Sequence, residues 1–304
     1  MEKVYRVHIL ICAGTSCVSG GSLKVKDALV EEIDRKGLED EVLVETTGCN
    51  GFCALGPIMI IHPEGIFYKQ LHVEDVPFFV EEHLIKGRVV KKHIFEEHKK
   101  KTLVPIMNEI GFFKNQILVA LRNRGLIDPE VIDEYIGRDG YLATAKALQD
   151  MTSEQIVDEI YKSGLRGRGG GGFLTGLKWK FCMEAVGDIK YILCNADEGD
   201  PGAFMDRSIL ESDPHAVLEG MIIGGKAIGA HHGYIYVRAE YPLAIDRLNI
   251  AFVHSSRRSV EADGFSSLDD LPANSELSVG VVNGQLTCTG DAAFSHAASD
   301  DGCM

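Results

Sequence analysis

Four of the eight cysteines in this 304-residue chain form two close pairs. Four residues separate Cys12 from Cys17 and three separate Cys49 from Cys53, whereas the other cysteines show no such spacing. Four thiolates at one site bind an iron–sulfur cluster or zinc, because soft sulfur suits both. The three-residue gap is unusual for zinc knuckles, and the plant-type ferredoxin spacing is absent. The spacing favours a 2Fe–2S cluster, with zinc or unliganded thiols as alternatives.

A glycine-rich loop, GLRGRGGGGF, runs from Gly164 to Phe173. So many glycines indicate either a flexible linker or a loop shaped around a ligand. The G-x-G-x-x-G match within it is weak, and no G-K-[ST] follows, so it is not a Walker A loop. Linkers carry serine rather than cations and aromatics, yet Arg166, Arg168 and Lys178 stand here. Amides with cations suit phosphate, so we expect a nucleotide or flavin.

An acidic loop, NADEGDPG, covers residues 195–202. Asparagine and aspartate favour turns, so an ordinary turn is one interpretation. Beside a phosphate-binding loop, Asn195 could instead meet the polar edge of a flavin ring, and the carboxylates could bind ribose hydroxyls. The loop follows a predicted strand, and open α/β sheets bind ligands at the carboxyl ends of their strands.

The elements that must position these residues read as α/β at both ends of the chain. Residues 1–90 carry β-branched strands and two helices in the order of a small thioredoxin-like layer. Both cysteine pairs would lie in loops at one end of that layer. Strands at 191–196 and 234–239 bracket a helix near 215–228. Between the two units, residues 91–160 read as a helical connector that starts with a charged, exposed run.

Composition restricts the partners and the compartment. The formal net charge of −14 makes nucleic acid or anionic membrane an improbable main partner. No uninterrupted apolar stretch approaches the roughly 18 residues of a membrane span, and the start of the chain has no secretory signal. Because cysteines in a reducing compartment are thiols or metal ligands, we expect a cytoplasmic protein with no membrane span of its own.

Two sets of motifs resemble known families. CAGTSC with TTGCNGFCALGP looks like the thioredoxin-like 2Fe–2S ferredoxin domain, whose four ligands match Cys12, Cys17, Cys49 and Cys53. The glycine loop, the segment YILCNADEGDPGAFMDRS and GYIYVRAEYPLA resemble the flavin- and NADH-binding subunit of respiratory complex I and its relatives in NAD(P)-linked and electron-bifurcating hydrogenases. The resemblance covers residues 5 to about 250.

The resemblance assigns cofactor roles by position. The expected FMN-binding residues are Gly167, Arg168, Gly169, Lys178, Asn195, Asp197 and Glu198. Gly170, Phe173 and Phe181 would form the nicotinamide side, and Asp200 the NADH ribose site, although the family often has glutamate there. Leu174 stands where the family usually has proline. No catalytic acid or base is expected, because the cofactors carry the hydride transfer.

The resemblance therefore implies an NAD(P)H:acceptor oxidoreductase subunit that contains FMN and a 2Fe–2S cluster. It would pass hydride between NAD(H) and FMN, then single electrons to iron–sulfur clusters. The implied partners are other subunits of a hydrogenase or a complex I-like NADH dehydrogenase. The alternative is an electron-carrier fragment in which the cluster domain folds but the flavin site is incomplete.

The predicted fold class is α/β: a thioredoxin-like 2Fe–2S domain (1–90), a helical connector (91–160) and a partial FMN/NADH-binding domain (161–252). The last lysine is Lys226, and from about Val253 the chain becomes rich in serine, aspartate, alanine and glycine. The family's CGEE segment and its four-iron C-x2-C-x2-C site are not found in the chain. We expect residues 253–304 to be a non-native tail of a truncated or out-of-frame product, with a divergent end as the alternative.

Overall fold

The computed structural model describes residues 4–97, 101–261 and 278–283. Its first unit is a four-stranded sheet in the order β2-β1-β3-β4, with β1 and β2 parallel and the other pairs antiparallel. The strands are β1 (Val7–Cys12), β2 (Val42–Thr47), β3 (Ile58–His62) and β4 (Ile66–Lys69). The predicted thioredoxin-like layer is confirmed.

Three helices complete this unit: α1 (Thr15–Ser19), α2 (Ser22–Arg35) and α3 (Val76–Phe79), the last continuing as a π-helical turn over Val80–Ile85. Helix α2 forms because apolar residues recur at helical spacing. Val25, Leu29 and Ile33 are buried in one core with the sheet. This packing holds β1 and β2 side by side, so their carboxyl ends meet at one edge.

The connector is less helical than its sequence predicts. Its first part forms a two-stranded hairpin from β5 (Phe95–Glu97) and β6 (Thr102–Val104). The helices that follow are α4 (Gly111–Lys114), α5 (Ile132–Ile136), α6 (Leu142–Gln149) and α7 (Ser153–Ser163). Helix α7 has a capping box, in which Thr152 Oγ1 accepts from the Gln155 amide at 3.3 Å.

The segment 115–130, which carries helix signals, forms turns instead. Its groups bond to distant parts of the chain rather than to a helical ladder. Asn123 Nδ2 donates to Asp213 at 2.7 Å, and the Ile127 carbonyl accepts from Thr47 at 2.7 Å. Gly125 has a φ of +75°, which interrupts a right-handed helix. Tertiary bonding thus overrides the local helix propensity.

The last unit contains a parallel sheet in the order β7-β8-β9. Its strands are β7 (Tyr191–Ala196), β8 (His232–Val237) and β9 (Ser278–Asn283). Its helices are α8 (Thr175–Glu184), α9 (Met205–Ser212), α10 (Pro214–Ile228) and α11 (Pro242–Glu261). The predicted strand–helix–strand unit is present, and the inner side chains of β8 pack on α10 and α11 around Leu218 and Leu248.

The predicted boundary at residue 252 falls inside α11, which continues to Glu261. Strand β9 then adds to the sheet beside β8. The remainder of the predicted non-native tail, 262–277 and 284–304, lies outside the described residues. The predicted domain limits and the origin of the tail therefore stay predictions.

Candidate cluster and flavin sites

The four cysteines meet because two parallel strands end at the same edge. Cys12 is the last residue of β1, and its register partner is Thr47, the last residue of β2. Cys17 lies on α1 directly after β1, and the loop after β2 carries Cys49 and Cys53. The four sulfur-bearing side chains line one small cleft together with neighbouring loop residues. The structure thus brings all four predicted ligands to one place.

The thiols interact in two pairs. A hydrogen bond from Cys17 lowers the pKa of Cys12 to about 7, and one from Cys49 lowers the pKa of Cys53 to about 5. The same bonds and burial raise the pKa values of Cys17 and Cys49. Among the described residues, no three His, Cys, Asp or Glu side chains are arranged to hold a single metal ion. Two thiol pairs suit a two-iron cluster, with two sulfurs for each iron.

Buried polar atoms without hydrogen-bond partners surround these thiols. Asn50 is fully buried; its side chain helps to lower the pKa of Cys12, and neither of its polar atoms has another hydrogen-bond partner. The Nε atoms of Arg124 and Arg207 are buried and likewise make no hydrogen bond. Buried polar groups normally have partners, so donors and cations facing four thiols fit an anionic cluster. Cysteine spacing gave no signal for Asn50, Arg124 or Arg207.

The glycine-rich loop has a fixed shape and an open surface. It starts at Gly164, which ends α7 with a φ of +70°, and its closing bonds join Gly167 N to Phe173 O and Arg166 Nη1 to Gly172 O, both at 2.9 Å. A Cβ added at any position from 169 to 172 would meet nothing within 4 Å. The loop is thus a hydrogen-bonded turn with room above its backbone, as an FMN-binding surface requires.

The acidic loop leaves the carboxyl end of β7, as predicted. Asn195, Asp197 and Asp200 are exposed, but Glu198 is only 7% exposed. The Glu198 carboxylate accepts from the backbone amides of residues 205–207, the first turn of α9, and from Tyr241. It therefore caps α9 and does not point freely toward a ligand, a role that the sequence analysis missed.

The remaining predicted cofactor residues lie at the surface. Arg168 and Lys178 are both exposed, and Phe173 and Phe181 are 52% and 56% exposed. Large aromatic rings of this exposure suit a face that a flat ligand covers. Within the described residues, no hydrogen bond or ion pair joins the glycine-rich loop to the acidic loop. Their joint action on FMN and NADH stays a prediction.

Two family models match successive parts of the chain. Residues 1–83 match the thioredoxin-like [2Fe-2S] ferredoxin family, and residues 160–301 match the Nuo51 FMN-binding domain. The second match extends beyond residue 252. In the part of the chain that the structure describes, no helix has the length and apolarity to cross a membrane.

Curated relatives align with about half of the chain. The HndC subunit of the NADP-reducing hydrogenase of Solidesulfovibrio fructosivorans is 58% identical over 45% of this chain and 28% of its own length. The F subunit of the NADH-quinone oxidoreductase of Aquifex aeolicus is 46% identical over 50% of this chain and 34% of its own. The alignments thus span about a third of these relatives.

Among solved structures, the thioredoxin-like [2Fe-2S] ferredoxin of Aquifex aeolicus is 28% identical, covers 31% of this chain and all of its own, and has a TM-score of 0.29. The assignment of the two domains rests on the family models and does not use this structural similarity. Residues 1–83 therefore carry a thioredoxin-like [2Fe-2S] ferredoxin domain, and residues 160–301 match a Nuo51 FMN-binding domain.

Proposed function

We propose that this chain is the NAD(P)H-oxidising, FMN-binding part of an oxidoreductase that passes electrons to a cysteine-bound 2Fe–2S cluster. One observation carries the proposal: helix α9 begins at the acidic loop of the flavin domain and packs against the cysteine loops, where Ser212 Oγ donates to the Cys49 carbonyl at 3.2 Å. A flavin-side element and a cluster-side element are therefore in direct contact. The names of the relatives support the same activity.

The residues at the flavin side suit orientation rather than acid–base chemistry. Arg168, Lys178 and the loop amides provide positive charge and donors for a phosphate. Exposed Asn195 provides an amide for a polar ring edge, and Asp200 a carboxylate for ribose hydroxyls. Bound FMN would supply two-electron chemistry with nicotinamide and one-electron chemistry with clusters. Phe173 and Phe181 would exclude water beside the nicotinamide.

The proposed setting is a multi-subunit assembly in the cytoplasm. The HndC relative is named as a hydrogenase subunit and the Aquifex aeolicus relative as a subunit of NADH-quinone oxidoreductase, which supports partner subunits of either kind. The six cysteines that the structure describes are free thiols, which suits a reducing compartment. A net charge of −14 supports protein partners rather than nucleic acid.

Anaerobic reconstitution with FMN, iron and sulfide tests the proposal. We expect bound flavin, iron–sulfur absorbance and reduction of ferricyanide by NADH or NADPH, whose rates identify the preferred nucleotide. Cys49→Ser should lose the iron–sulfur absorbance and keep the flavin. A red protein that binds no flavin would instead support the electron-carrier alternative, and a colourless zinc protein would refute both.

A further inference from the structure

Helix α9 approaches the cysteine loops closely enough to form one wall of the centre. A Cβ added to Gly48 would lie 2.3 Å from Ser212 Cα, so only glycine allows this contact. Ser208 Oγ lies 3.7 Å from Cys49 Sγ and 2.6 Å from the Phe204 carbonyl, so its one proton has two alternative acceptors. The helix of one domain thus touches both the backbone and the sulfur of a predicted cluster ligand.

A buried polar network fixes this wall in place. The Glu211 carboxylate accepts from the backbone amide of Thr15 at 3.0 Å and from its hydroxyl. Arg247 donates to the Ala13 carbonyl at 3.0 Å and to the Glu211 carbonyl. Thr15 and Ala13 belong to the loop between Cys12 and Cys17. Glu211 and Arg247 therefore tie the first cysteine loop to the flavin domain, and the Ser212 bond to the Cys49 carbonyl ties the second.

Two arginines bring positive charge to the centre. Arg207 is 8% exposed and directly precedes Ser208, whose hydroxyl lies 3.7 Å from Cys49 Sγ. Gly51 lies in the loop that carries Cys49 and Cys53. Arg124 Nη1 is 2.9 Å from the position that a Cβ on Gly51 would occupy. Glu211 lies 3.6 Å from Arg207 and offsets part of its charge. Two buried arginines therefore lie beside the cysteine loops, and the Arg207 guanidinium also lies over the Phe204 ring at 4.1 Å.

We propose that Arg207 and Arg124 set the reduction potential of the cysteine-bound cluster, so that its potential depends on the contact between the two domains. The inference rests on the proposed function, because it requires the cluster. One-electron reduction adds a negative charge to an already anionic group, and buried cations stabilise the more negative form. Neither arginine touches the thiols as a ligand, so both are positioning residues that act through the local field.

A redox titration with dithionite, followed by electron paramagnetic resonance of the reduced cluster, tests the inference on the reconstituted full chain. We expect Arg207→Gln and Arg124→Gln to shift the midpoint potential to more negative values. Arg207→Lys and Arg124→Lys keep the charge and should stay close to the wild-type potential. Arg35→Gln removes a charge at the surface of α2 and serves as the matched control without a shift.

Unchanged potentials in both glutamine variants, with the cluster present, would overturn the inference. Equal shifts in the lysine and glutamine variants would also overturn it, because a general structural disturbance would then explain them. If Arg207→Gln fails to fold beside buried Glu211, the Arg124 pair of variants still decides. A wild-type chain without any iron–sulfur signal is a different outcome: it refutes the proposed cluster itself.

Discussion

Arg247 is only 1% exposed although it carries a charge. It joins α11 to the Ala13 carbonyl of the first cysteine loop and to the Glu211 carbonyl of α9. Replacement by methionine keeps much of the volume but leaves two buried carbonyls without donors. We expect Arg247→Met to lower the free energy of unfolding by roughly 2–4 kcal/mol. Urea unfolding followed by circular dichroism measures the change.

Arg88 is the matched control for Arg247. It pairs with Glu82 at the surface, and its side chain is 61% exposed. Exposed ion pairs contribute little, so Arg88→Met should unfold at the wild-type urea concentration. Equal effects of the two substitutions would contradict a special role for the buried arginine.

His215 gives the fold a sensitivity to acid. Burial, with a smaller effect of nearby His254, lowers the pKa of His215 from 6.5 to about 4. Its Nδ1 lies 2.8 Å from the Tyr141 hydroxyl, and its ring stacks on Tyr135. A histidine with a lowered pKa in the folded state binds its proton more readily after unfolding. Its stabilising effect is therefore complete above pH 6.5 and is lost as the pH falls toward 4.

We expect the wild type to lose on the order of 2–3 kcal/mol more than His215→Asn between about pH 7 and about pH 4. Asparagine keeps an acceptor for Tyr141 but does not titrate. Urea unfolding at several pH values gives the difference between the two proteins, in which the other titrating groups cancel. Parallel pH profiles would contradict this role of His215.

At the scale of elements, the amino end of α9 depends on Glu198. The Glu198 carboxylate accepts from the first three amides of this helix. We expect Glu198→Ala to increase hydrogen exchange of these amides about fivefold, because a lost cap weakens the first turn by about 1 kcal/mol. Exposed Asp197 in the same loop does not cap this helix, so hydrogen exchange in Asp197→Ala should stay at the wild-type rate. Faster exchange in both variants would contradict a specific capping role of Glu198.

Alanine substitutions at two glycines, one in the glycine-rich loop and one just after it, distinguish an effect on packing from an effect on FMN binding. A Cβ at Gly176 would lie 2.4 Å from the Tyr161 backbone of α7, so Gly176→Ala should lower the free energy of unfolding by roughly 1–3 kcal/mol. A Cβ at Gly169 meets nothing within 4 Å. Gly169→Ala should therefore unfold like the wild type but bind FMN at least about tenfold more weakly, ~1.4 kcal/mol. Fluorescence titration with FMN measures this, and unchanged affinity would argue against a flavin at this loop.

Local patterns predicted many of these elements because the patterns reflect burial. The strand at residues 191–196 and the helix over 215–228 agree closely with β7 and α10. The cysteine quartet was predictable because both pairs lie beside strands of one layer. The segment 115–130, where helix signals alternate with turn residues, forms turns, because Asn123 bonds to Asp213, far along the chain. Local propensity carries no information about such partners.

At the scale of the whole molecule, the contact between the two domains was not predictable. Ser208, Glu211 and Arg247 look like ordinary helix residues, and nothing in their spacing points to residues 13–15 or 48–49. Only the folded chain shows that they meet the cysteine loops. The same contact places the predicted cluster beside the flavin domain, which is the basis of the proposed electron transfer within one chain.

The most direct test of this account is the anaerobic addition of NADH to the reconstituted chain, followed by electron paramagnetic resonance. We predict the signal of a reduced 2Fe–2S cluster when FMN is bound, and its loss when FMN is omitted, in Gly169→Ala at limiting FMN, and in Cys49→Ser. Dithionite should restore the signal in the first two cases, since the cluster itself is intact there. A cluster that dithionite reduces but NADH with FMN does not would contradict the account.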